Sequence, residues 1–175
     1  MNQSVAFVPR MAARTLTGND YASFIVGAGE FSSPITRNAL LFRARKPYDP
    51  LSGQFKVCTA QDATSFAYML PANATVTGAA VEGDVSITAV NGATGGGAAL
   101  SATPSGGAAA THALVHGEHF SLPLTLAANK GSVDLALQTT MPALTATAAN
   151  SNQGQEADYK LTVSNLILRI AFTVP

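Results

Sequence analysis

The last seventeen residues, Tyr159 to Pro175 (YKLTVSNLILRIAFTVP), constrain the fold most. Tyr159, Leu161 and Val163 alternate with Lys160, Thr162 and Ser164, the period-2 pattern of a strand with one buried face. After Ser164-Asn165 the apolar set moves to Leu166, Leu168, Ile170, Phe172 and Val174. The first set is odd and the second even. One extra residue at Ser164-Asn165 restores a single core face, which is what a β-bulge does. A slip without a bulge would turn every later side chain outward. Ile167 and Ala171 make the second half apolar on its other face too, as expected of a central or interface strand. The stretch predicts an antiparallel β protein in which it is a principal strand.

The rest of the chain agrees with this class. Ala39 to Arg45, Gln54 to Val57, Thr75 to Val81, Asp84 to Val90, Phe120 to Leu126, Ser132 to Gln138 and Leu144 to Ala148 read as short strands. Pro123 cannot donate a ladder hydrogen bond, so its strand belongs at an edge. Glu82-Gly83 reads as a hairpin turn. Ala60 to Leu70 fits either a strand with Phe66, Tyr68 and Leu70 on one face or a helix with Ala60, Ala63, Ala67 and Leu70 aligned. Residues 91–111 are a Gly/Ala/Ser/Thr tract whose only large side chain is Leu100, expected to form a long loop. With seven to nine short strands and no βαβ spacing, the expected architecture is an antiparallel two-sheet β-sandwich, jelly-roll-like or immunoglobulin-like. Residues 1–50, punctuated by Pro and Gly, are expected to be an extended N-terminal arm, with the sandwich domain spanning residues 51–175.

Composition bears on function. Charged residues are 11% of the chain, against about 25% in ordinary soluble domains. A surface so poor in charge is expected to be covered by partners or solvated by Thr, Ser, Asn and Gln. The net charge is zero, which argues against nucleic acid as a partner. Residues 1–56 nevertheless hold seven cations against three acids, and residues 57–175 three cations against seven acids. The sharper reading of this split is a basic arm that docks on an acidic partner. In Arg43-Ala44-Arg45-Lys46, flanked by Phe42 and Tyr48, the basic residues are densest. It suits a salt-bridged protein anchor, a single-strand contact or a solvated face.

The single cysteine, Cys58, cannot form an internal disulfide and reads as a small core hydrophobe. The start MNQSVAFVPR lacks the pattern of a signal peptide, and no apolar run approaches the length of a transmembrane helix, so no membrane is expected. His112, His116 and His119, with Glu118 among them, carry metal-ligand residue types, but strand geometry sends His119 to the other face. Glu82/Asp84 and Glu156/Asp158 read as solvated turn carboxylates. No G-x-S-x-G elbow or phosphate loop occurs. Neither catalytic residues, nor a cofactor, nor a metal set is expected.

The irregular start MNQSVAFVPRMAARTLTG, the tract NGATGGGAALSATPSGGAAAT and the strands FSLPLTLAANKGSVDLALQ and YKLTVSNLILRIAFTVP resemble bacteriophage capsid decoration (cement) proteins. That resemblance implies a non-enzymatic virion protein on the capsid surface, made in the host cytoplasm. Its partners would be the major capsid protein and further copies of itself, as a homodimer or homotrimer. The residues expected to meet partners are Arg10, Arg14, Arg37, Arg43 and Arg45 on the arm and Ile167 and Ala171 on the last strand. A single-jelly-roll coat protein and a head or tail fibre receptor-binding module are the alternatives.

Overall fold

The computed structural model describes residues 1–10, 13–17, 38–49, 53–145 and 156–175. Among them there is no helix. The strands are β1 (Asn2–Phe7), β2 (Ala13–Thr17), β3 (Leu40–Lys46), β4 (Tyr48–Asp49), β5 (Gln54–Phe55), β6 (Cys58–Met69) and β7 (Thr75–Val90). They continue with β8 (Ala93–Thr94), β9 (Gly97–Pro104), β10 (Ala110–Ala113), β11 (His119–Leu124), β12 (Lys130–Thr140), β13 (Ala143–Leu144) and β14 (Ala157–Thr173). All pairings are antiparallel.

Ten strands join in one sheet, in the order β10-β9-β12-β6-β3-β14-β7-β11, with β1 added on β14 and β2 on β6. The pairing is nested. β3 pairs with β14, β6 with β12, β7 with β11 and β9 with β10, outermost with outermost along the chain. Where two facing sheets are expected, the ladder is continuous through β3–β6, and the sheet curls until its ends approach. There the His112 ring of β10 stacks on Phe120 of β11, centroids 5.3 Å apart. The result is a nearly closed barrel whose interior is filled by side chains, among them Phe66, Phe120, Leu100, Leu135, Leu161, Leu168 and Ile170.

β14 occupies the central place its sequence suggests. β7 runs along one edge for its whole length, while β3 and then β1 share the other. The register shifts between Ser164 and Ile167, and Asn165 there has φ 53°. Across the bulge Tyr159, Leu161, Val163, Leu166, Leu168, Ile170 and Phe172 are all buried. The bulge is fixed by the Leu166 N–H, which donates to Asn38 O at 2.9 Å, and by Asn165 Nδ2, which donates to Asp84 Oδ2 at 2.6 Å.

Several expectations change. Cys58–Met69 is a strand, not a helix, because Ala60, Phe66 and Tyr68 bury on one strand face while its edges pair with β3, β2 and β12. Glu82-Gly83 is no hairpin: β7 runs straight through it. Gly83 is required by a close approach, since a Cβ there would lie 3.0 Å from both the Phe120 ring and Ser164 O. Gly83→Val is therefore expected to cost about 1–3 kcal/mol in urea unfolding, by overpacking against the bulge. The tract of residues 91–111 is ordered as β8, β9 and the start of β10, with β9 paired to β12 and β10 and β8 paired to β13. Where a free arm is expected, β1, β2 and β3 are built into the sheet. The expected strand beyond Thr145 lies outside the described residues.

Candidate interaction surfaces

The arginines expected to reach a partner turn mostly to this chain's own acids. Arg14 Nε donates to Asp62 Oδ1 at 2.7 Å and Nη2 to Oδ2 at 3.1 Å. The Leu41 N–H donates to the same carboxylate at 2.9 Å. Arg43 Nε donates to Asp158 Oδ1 at 2.9 Å, with a second, short contact from Nη2 to Oδ2. Arg45 pairs with Glu156, whose other oxygen accepts the Tyr48 N–H. Among the described residues Asp62 and Arg43 are the buried charged ones, 2% and 7% exposed. The excess of cations before residue 57 and of acids after it thus acts in part within the chain, tying β2 and β3 to β6 and β14. Arg10 is exposed, and its main chain joins β6 through Ser65 and Thr64. Arg37 lies outside the described residues. Ile167 and Ala171 are half-buried on the outer side of β14, Ala171 between Ser4 of β1 and Gly78 of β7.

Strand parity places small uncharged side chains on the outer face of β6, β12, β9 and β10. One cross-strand row reads Ala63, Ala136, Ser101, Thr111. The row beside it reads Gln138, Ala99, Ala113, and on the other side lie Ser65, Asp134 and Thr103. Asp134 is the only charge in these rows. Two shallow cavities open here. One, of about 320 Å³, is lined by Thr15, Thr17, Thr59, Gln61, Asp62 and Ala136. The other, of about 480 Å³, lies over Gly97–Ala99 and Gln138–Thr140.

The three histidines have separate partners. His112 Nε2 lies 3.2 Å from Glu118 Oε1, His116 Nδ1 accepts the Ile87 N–H at 2.9 Å, and His119 Nδ1 lies 2.7 Å from Asp84 Oδ1. Among the described residues no group of three or more His, Cys, Asp or Glu converges as metal ligands would. Hydrogen bonds from Asn165 and then His119 hold the Asp84 carboxyl below the usual carboxylate range. A lowered carboxyl favours the folded state at neutral pH, and that contribution is lost as pH falls through the lowered value. Burial pushes the Cys58 thiol up against the opposing pull of Arg45 and Arg43, so it is a thiol at neutral pH. Glu82 and Asp84 are not idle turn carboxylates: Glu82 takes Arg169 Nε at 3.1 Å.

Asp62 is the residue the sequence reading passes over. Its signal is there: Asp62 stands on the same strand parity as Ala60, Phe66 and Tyr68, a lone acid on an apolar face. Comparison with protein-family models, curated proteins and solved structures finds no match for the chain.

Proposed function

We propose that this chain is a structural virion protein that decorates and cements a capsid, binding across copies of the major capsid protein as a homodimer or homotrimer. The observation that carries this reading is the outer face of β6, β12, β9 and β10, four strands wide, whose three rows from Ser65 to Ala113 hold Asp134 as their one charge. Such a face loses little on desolvation when another protein covers it. The strand order supports the finer fold assignment. Numbered along the chain, the eight strands of the path stand as 5-4-7-2-1-8-3-6. We read that order as a pair of nested Greek keys, the jelly-roll arrangement used by capsid and lectin domains. In this reading β3-β14-β7-β11 and β6-β12-β9-β10 are the two sheets, bridged through β3–β6. Ile167 and Ala171, on the opposite outer face, serve contacts between copies.

The test is to add the purified chain to capsids that lack it and measure occupancy and capsid melting. Saturable binding and a raised melting temperature are expected. Ala136→Glu, which sets a charge in the middle of this face, is expected to lower occupancy at least about tenfold while leaving the chain folded, the effect of one uncompensated desolvated charge. Wild-type chain that leaves the capsids bare would overturn the reading. The same strand order favours a single-jelly-roll coat protein as a second reading, which predicts closed shells from this chain alone.

A further inference from the structure

The two ends of the strand order, β10 and β11, meet without a ladder. Side chains and the connecting loop close that seam. Glu118 Oε1 accepts the Val115 N–H at 2.6 Å and faces His112 Nε2. The loop then docks on the edge of β7. The Gly117 N–H donates to Val85 O at 2.9 Å, and the Val85 N–H donates to Glu118 O at 3.0 Å. The β11 ladder along β7 stops at His119 opposite Asp84. Beyond that point the Ile87 N–H donates to His116 Nδ1. An imidazole thus stands where the next strand acceptor would be.

We propose that the loop of residues 114–118 is a pH-operated latch on the β7 edge, closed while His116 is neutral and released when it is protonated. The geometry dictates the sign. Nδ1 accepts a hydrogen bond, so the proton of the neutral ring sits on Nε2. A second proton has only Nδ1 to take, and it would set two N–H groups face to face. Histidine is the side chain that changes charge on mild acidification, so release accompanies it.

The surrounding charges do not counter this. On β7, Asp84 is engaged by His119 and Asn165, and Glu82 by Arg169 of β14. On the loop, Glu118 is engaged by His112 and the Val115 N–H. β9 brings no titratable side chain. Among the described residues no carboxylate forms an ion pair with His116. Protonation of His112 and His119 strengthens their own pairs with Glu118 and Asp84. The main-chain bonds of Gly117 and Glu118 to Val85 do not titrate, so the loop keeps its hold there while the contact at Ile87 lets go.

Amide hydrogen exchange by NMR on the full chain tests this, with rates corrected for intrinsic exchange. Ile87 is expected to lose about tenfold in protection between pH 7.5 and pH 5.5, the weight of one hydrogen bond. Leu161 in β14 is expected to hold its protection. His116→Asn offers an untitratable oxygen in place of Nδ1 and is expected to keep Ile87 protected at both pH values. His116→Ala is expected to leave it open at both. Equal protection of wild-type Ile87 at the two pH values would overturn the latch. So would a wild-type pH response in His116→Asn, because it would assign the effect to His112 or His119.

Discussion

Asp62→Ala is expected to destabilise the chain by about 3–5 kcal/mol, the cost of breaking a buried ion pair from one side. Asp62 is 2% exposed, and its carboxylate takes two bonds from Arg14 and one from the Leu41 N–H. Alanine removes the acceptor for a guanidinium whose side chain is only 11% exposed and for a main-chain donor at the start of β3. In a chain of this length each kcal/mol moves the melting temperature by about 2–4 °C, so a fall of roughly 6–20 °C is expected. Arg14→Ala is expected to cost a similar amount, because it leaves the carboxylate buried with less compensation. The double variant should lose clearly less than the two single losses added together, as expected for residues in direct contact. Urea unfolding of the four proteins checks this. A loss below about 1 kcal/mol for Asp62→Ala would mean that water reaches the site and that the pair behaves as a surface one.

This pair also marks the boundary of what the sequence made legible. Period-2 alternation reports which side of a strand is buried, so β14, β11 and β12 could be read from Tyr159 to Phe172, Phe120 to Leu124 and Val133 to Leu137. The bulge was legible because a parity change leaves a trace in the apolar pattern itself. Close approach leaves none. Gly83 looks like a turn until Phe120 and Ser164 are placed against it, and both are remote in sequence. The 91–111 tract fails for a related reason. Ala, Ser and Thr carry too little hydrophobic contrast for parity to show, yet Leu100 and Ala102 are fully buried in β9. Charge bias was visible as an imbalance between the two parts of the chain. Whether it acted within the chain or between chains was not, because ion pairing depends on which strands become neighbours. The sequence pointed to Arg14, Arg43 and Arg45. Only the nested pairing of β3 with β14, and of β2 with β6, supplies Asp158, Glu156 and Asp62 as their counterparts.

Deleting Asn165 is expected to leave the native fold in place. The bulge holds one residue more than the ladder with β7 requires. Without it, Ser164, Leu166 and Ile167 stand opposite Asp84, Gly83 and Glu82 in unbroken alternation, and Leu166, Leu168, Ile170 and Phe172 keep the inner face set by Tyr159, Leu161 and Val163. The loss is that of the bulge's own bonds, from the Leu166 N–H to Asn38 O and from Asn165 to Asp84, about 1 kcal/mol each. An alanine inserted after Leu168, in the regular ladder, has the large effect. It turns Ile170 and Phe172 outward or, if the bulge straightens to absorb it, Leu166 and Leu168. Exposing two large apolar side chains costs about 1.5–3 kcal/mol each, on the order of 3–6 kcal/mol together, before the burial of Arg169 or Asn165 is counted. Typical domains are stable by only about 5–15 kcal/mol, so the insertion variant should melt far below the wild type. Asn165→Gly should remain folded, since φ 53° suits glycine, while the loss of the bond to Asp84 costs about 1 kcal/mol. Asn165→Val keeps the residue count but forces a β-branched side chain to positive φ, and is expected to cost about 1–3 kcal/mol. Circular dichroism melts of the four variants separate register from strain. An insertion variant that melts near the wild-type temperature, or a deletion variant that melts as low as the insertion variant, would show that the parity change is not what fixes the barrel.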